Sequence, residues 1–148
     1  MAQGSASRCR ASERGHRALN ATPWPHCQMT LLEQLRSAPA MLRVMGLALP
    51  RAMTMLNARA KHDPDQAHWH IGPIGVHPDH QGEGVGSALL QAFLEMIDRE
   101  GSPAFLETDV GRNVVLYERF GFSVIARQDI LGIDTRFMWR APTVRNPG

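Results

Sequence analysis

Apolar positions along the chain fall into helical spacing first and into short, strand-like runs later. Leu31, Leu32 and Leu35 form one apolar group, and Met41, Leu42, Met45, Leu49, Met53 and Leu56 continue it. That spacing predicts helix from Met29 to Ala60. Ser37 ahead of Pro39 reads as an N-cap followed by a first-turn proline, and Pro50 is expected to break or restart the helix. The methionines read as adaptable core filling. Asp63-Pro64-Asp65 reads as a loop, and His68 to Val76 as a strand bounded by Pro64 and Pro78. Val85, Ala88, Leu89, Ala92, Phe93, Met96 and Ile97 then recur on one helical face, with Gln91, Glu95, Asp98 and Arg99 on the other. Gly101 and Pro103 stop that helix.

Ala104 to Thr108 reads as a short strand and Asn113 to Phe120 as a short helix ended by Gly121. Phe122 to Ile130 and Thr135 to Arg140 are expected to be strands joined across Leu131-Gly132-Ile133-Asp134. A strand–helix–strand unit implies parallel neighbours, and the closing hairpin adds antiparallel ones. The fold class is therefore α/β of the α+β type, a central mixed sheet with flanking helices. Residues 1–25 are rich in Ser, Ala and Arg and show no apolar periodicity. A transit peptide, a disordered tail and an upstream stretch translated from a wrong start share this composition. The disordered tail is the reading adopted. The expected organisation is a tail over 1–25, a helical segment over 26–66 and a ligand-binding core over 67–148.

Composition narrows the classes. A chain of 148 residues, 43% hydrophobic and 20% charged, suits one globular domain. A formal charge of +2, with the Arg residues scattered and Lys61 the only lysine, is too small to imply nucleic-acid binding. Cys9 and Cys27 form no CxxC pair, which fits a reducing cytoplasm. No apolar run approaches the ~20 residues that span a bilayer.

The chemistry is concentrated in Gln81-Gly82-Glu83-Gly84-Val85-Gly86-Ser87, between the first strand and the long helix. Alternate glycines let backbone N–H groups turn toward a ligand, and the helix start adds its unpaired N–H groups and positive dipole end. Together these suit a pyrophosphate. A Walker loop would need a Gly-Lys-Ser/Thr, and a dinucleotide fingerprint would need a glycine at Ser87.

Val76-His77-Pro78 followed by this loop resembles the GNAT superfamily of acyl-CoA-dependent N-acyltransferases, with its Gln/Arg-x-x-Gly-x-Gly/Ala loop. Asn113, Tyr117 and Gly121-Phe122 resemble that family's second block. The runs Pro103 to Thr108 and Arg112 to Phe122 look most like puromycin N-acetyltransferase-like members. The resemblance is good from about Trp69 to Arg140 and faint from Met29 to Lys61.

The resemblance implies acetyl-CoA as cosubstrate and a small-molecule or peptide amine as acceptor, with no nucleic-acid or membrane partner. It implies a sheet splayed between the first strand and the strand from Ala104 to Thr108. Pantetheine would meet the backbone at Ile74, Gly75 and Val76, with the Val76 N–H toward the thioester carbonyl. Amides of Gln81, Gly82, Glu83, Gly84, Val85, Gly86 and Ser87 would hold the pyrophosphate. Asn113 would orient the arm or cap its helix. Tyr117 would protonate the departing thiolate or serve as a core aromatic. Glu107 would take the amine's proton if strand alternation turns it to the cleft. His68, His70, His77 and His80 lack a metal-site spacing, so no metal is expected. Family members carry further strands before the central one, and these are expected to be missing. The first strand would then be an exposed edge, prone to self-association. The alternative to an active enzyme is a truncated or degenerate member that binds coenzyme A without efficient turnover.

Overall fold

The computed structural model describes residues 9–11, 17–24 and 31–143. In chain order the elements are β1 (Cys9–Ala11), β2 (Arg17–Pro23), α1 (Leu31–Met45), α2 (Leu49–His62), β3 (Trp69–Val76), α3 (Val85–Arg99), β4 (Ala104–Thr108), α4 (Gly111–Arg119), β5 (Ser123–Ile130) and β6 (Ile133–Arg140). The strands make one mixed sheet in the order β1-β2-β3-β4-β6-β5. Only β3 and β4 run parallel, joined through α3; the other pairs are antiparallel.

Each sheet face buries a different core. On one, Leu89, Leu90, Phe93, Leu94 and Ile97 of α3 pack on Leu19, Ala21, Ile71, Ala104, Leu106 and Met138. On the other, Phe105, Ile130 and Phe137 form a smaller cluster against Met55 and Ala58 of α2. The alternation of β4 divides its residues between these layers, Leu106 to the α3 side and Phe105 to the α2 side.

The expected absence of strands before the central one is overturned. Where a disordered tail was expected, β2 pairs antiparallel with β3 from Arg17↔Val76 to Pro23↔Trp69, and β1 pairs with β2. β3 is therefore flanked on both sides, and the exposed-edge premise for self-association falls. The pattern was hard to read because β2 buries only Leu19 and Ala21. It is held by its neighbour's ladder rather than by an apolar run of its own.

Two helix details also differ. Pro39 lies inside α1 rather than at its first turn, and the Ser37 hydroxyl donates back to the Glu33 carbonyl at 2.8 Å instead of capping. The break comes at Gly46, which has φ +49 and opens a 3-10 turn over Gly46–Ala48; Pro50 then sits in the first turn of α2. The α3 terminus does follow the glycine signal. Gly101, at φ +66, donates to the Asp98 carbonyl, and Ser102 to that of Ile97, a Schellman closure. Among the described residues no helix is long and apolar enough to cross a membrane.

Candidate functional site

The site begins where β3 and β4 part. Their pairing runs from Trp69↔Ala104 only to Ile71↔Leu106, although β3 continues to Val76. The β4 side of Gly72 to Val76 is thus left without a strand partner.

A bulge in β3 aims its side chains. Between Ile71 and Ile74 this strand advances three residues while β2 advances two, from Ala21 to Leu19. Pro73 falls in that bulge, where its missing N–H is tolerated. Gly72 lies tight against Asn20: a Cβ there would stand 3.2 Å from its Nδ2. The extra residue shifts the alternation by one position. Ile74 joins Ile71 on the α3 side as a result, and Val76 faces Gly86 of α3. A Cβ on Gly86 would lie 3.4 Å from Val76 Cγ2 and 3.9 Å from Ile74 Cγ2, so this glycine sets how closely α3 approaches β3.

In the loop ahead of α3 the Gln81 N–H is taken by the Pro78 carbonyl at 3.2 Å, and the open amides lie at the helix start. Gly82 and Gly84 have φ +85 and +77, and Gly84 is the N-cap of α3 without a side-chain cap. The first intrahelical bond runs from Ala88 N–H to Gly84 O at 2.9 Å. The N–H groups of Val85, Gly86 and Ser87 precede that bond and have no intrahelical acceptor. The Gln81 side chain braces the loop by donating from Nε2 to the Val76 carbonyl at 3.1 Å.

These parts enclose a cavity of about 480 Å³. Ile74 and Val76 form one wall, and Gln81, Gly82, Gly84, Val85, Gly86 and Ser87 line the end beside the α3 start. Asn113, Leu116 and Tyr117 of α4 close it. Gly75 and Glu83 are outside the lining; Glu83 instead meets His80, with Oε2 3.2 Å from Nδ1. His80, Leu90 and Leu116 line the cavity and were not singled out in the sequence as ligand contacts. Leu90 and Leu116 are indistinguishable from core residues by pattern alone.

Asn113 does not cap α4. Val110 occupies the N-cap position and Asn113 is the third helical residue, with its side chain on the cavity. Tyr117 stacks edge-on against Phe122 at 6.0 Å and is half-buried. Burial pushes its phenol above the ordinary tyrosine value, so the hydroxyl holds its proton throughout the neutral range.

Glu107 stands apart from this cavity. It shares the α2-facing side of β4 with Phe105, and its Oε1 lies 3.3 Å from Arg59 Nε of α2. Its Oε2 lies 3.1 Å from His70 Nε2 of β3. Next to this pair, His68 and Asp63 meet with Nε2 and Oδ1 3.0 Å apart. Sequence spacing did not bring Asp63 and Glu107 to these histidines, since only the pairing of β3 with β4 and the docking of α2 do so.

Residues 13–122 match the model of the Acetyltransferase (GNAT) family, and the chain belongs to that family. An uncharacterized N-acetyltransferase of Schizosaccharomyces pombe is 30% identical over 82 residues, covering 53% of this chain and 33% of the relative. The chain thus spans about a third of that relative's length. Among solved structures, a Corynebacterium glutamicum protein described as histone acetyltransferase HPA2 and related acetyltransferase is similar at 28% identity. That match has a TM-score of 0.48 and covers 55% of this chain and 45% of the other. The ribosomal-protein-S18-alanine N-acetyltransferase of Escherichia coli is similar at 24% identity and TM-score 0.47, covering 54% and 57% of the two chains.

Proposed function

We propose that this chain transfers the acetyl group of acetyl-CoA to an amine by direct attack on the thioester. The observation that carries this reading is the single cavity in which the splayed edge of β3, the uncapped start of α3 and Tyr117 meet. The pyrophosphate would lie against the amides from Gly82 to Ser87, without that of Gln81, which the Pro78 carbonyl occupies, and there the helix dipole favours negative charge. The pantetheine arm would run along Ile74, Gly75 and Val76, occupying the ladder positions that β4 abandons. Asn113 would orient the arm from α4.

The neutral amine attacks the thioester carbon, and the Val76 N–H stabilises the developing oxyanion. The C–S bond breaks as the N–C bond forms. Tyr117 gives its phenolic proton to the leaving sulfur, a role that suits a phenol kept protonated by burial. Glu107, on β4 just past its last pairing with β3, would accept the proton lost by the amine. The acceptor class is a small-molecule or peptide amine, and no nucleic-acid partner is invoked for a chain of formal charge +2. With only Cys9 and Cys27, far apart in sequence, and no CxxC, we place the protein in the cytoplasm.

One observation favours a second reading, coenzyme binding without efficient turnover: Glu107 is held by Arg59 and lies outside the cavity lining. Coenzyme A thiol release, followed against a panel of primary amines, separates the two. Acceptor-dependent thiol release with matching acetylated product is expected. Bound acetyl-CoA that no amine discharges would leave only the binding role.

A further inference from the structure

We propose that Asp63, His68 and His70 form a zinc site that pins the loop leaving α2 to the start of β3. Each offers one ligand atom, and the three atoms lie within 4.8 Å of one another. They come from both sides of a junction, Asp63 just after α2 and the histidines at the entry to β3.

The contacts of His68 point to a cation. Its Nδ1 is 2.7 Å from the Gln66 carbonyl, an acceptor, so Nδ1 carries the hydrogen. The other ring nitrogen, Nε2, faces the Asp63 carboxylate at 3.0 Å. The His68 side chain is fully buried and that of Asp63 is 6% exposed, so water has little access to the pair. Nε2 of His68 and Oε2 of Glu107 are both buried without a hydrogen bond of acceptable geometry. A cation between the ligand atoms would give the buried Nε2 of His68 the partner it lacks. The Nδ1–carbonyl bond is also the outer contact that orients a metal-bound imidazole.

Nitrogen and carboxylate donors in a small buried site favour zinc over magnesium or calcium. Bonds of about 2.0–2.1 Å give a tetrahedron edge of roughly 3.3 Å, close to the His68–Asp63 spacing. His70 offers the third ligand atom from within 4.8 Å of the other two. The site lies on the α2 side of the sheet, opposite the α3-side cavity, so its role is structural. It would fix the helical pair on the sheet beside the splay.

The test uses the full chain, freed of metal by chelation and dialysis. Titration with zinc chloride should show one equivalent bound tightly, and Tm should rise with the logarithm of free zinc. Cobalt(II) in its place should give the intense visible bands of tetrahedral coordination. Because His68 is buried, Asp63→Asn/His70→Gln is the working variant, with its fold checked by circular dichroism. The folded double variant should lose the cobalt bands and at least tenfold in zinc affinity. Undiminished uptake there would place the metal at other histidines and overturn the proposal. No uptake by the parent protein would overturn it too, leaving an imidazolium–carboxylate pair.

Discussion

In the proposed reaction, Tyr117 is the residue on which turnover depends most directly. Replacing it with Phe keeps the edge-on packing against Phe122 and removes only the hydroxyl. Turnover should fall by roughly 10²–10⁴-fold, the usual contribution of a general acid, with acetyl-CoA affinity little changed. Single-turnover thiol release together with calorimetric titration measures both quantities. The pH profile supplies an independent check. Burial raises the phenol pKa, so any falling limb owed to its ionisation should lie above the ordinary tyrosine value of about 10. A variant as fast as the parent, in an assay limited by chemistry, would leave Tyr117 a packing residue.

At the scale of elements, the β5–β6 hairpin stores an avoidable cost. Its loop is only Leu131-Gly132, both at positive φ (58 and 83), which is the signature of a type I′ turn. The four-residue connection expected from sequence is thus too long by two, because β6 begins at Ile133. Leucine is poorly suited to the left-handed region, and Leu131 is 44% exposed, so little packing compensates. Leu131→Asn should stabilise the protein by about 1 kcal/mol, readable in a denaturant midpoint. An unchanged or lower midpoint would contradict the turn assignment.

Other elements show what could be read from sequence and why. α3 was legible because seven apolar residues hold one face and Gly101 closes the end through the backbone. The glycine loop was legible because positive φ at Gly82 and Gly84 demands glycine. β2 was not, since its order comes from a strand some fifty residues away in sequence. The face taken by Glu107 depends on strand alternation and on where α2 docks. Pro39 misled because a proline signals a helix start locally, whereas here the helix continues through it.

For the whole molecule, one buried clamp joins three elements. Arg140, at the end of β6, donates from Nη1 and Nη2 to Asp98 of α3, each at 2.7 Å, and from Nε to the Phe120 carbonyl at 2.8 Å. The guanidinium holds the Asp98 carboxyl below the usual carboxylate range. A depressed folded-state pKa gives stability that is present above the unfolded value, about 3.9, and lost as pH falls through the folded value. Asp98→Ala leaves Arg140 buried and unpaired, and should cost about 3 kcal/mol at neutral pH. That deficit should shrink in acid, as the parent's own carboxylate is protonated. Thermal melts of both proteins from neutral pH down to about 3 test this. A deficit constant across that range would show the clamp to be packing rather than charge.

Coenzyme binding at the uncapped start of α3 is tested most directly by titrating acetyl-CoA into the parent chain and Gly84→Asp by calorimetry. Gly84→Asn serves as the control, since Asn and Asp tolerate the left-handed backbone alike and only Asp adds a negative charge. The parent should bind one equivalent, Gly84→Asn should weaken binding modestly, and Gly84→Asp should abolish it with the fold intact by circular dichroism. Equal affinity in all three proteins would contradict a pyrophosphate seat at this loop.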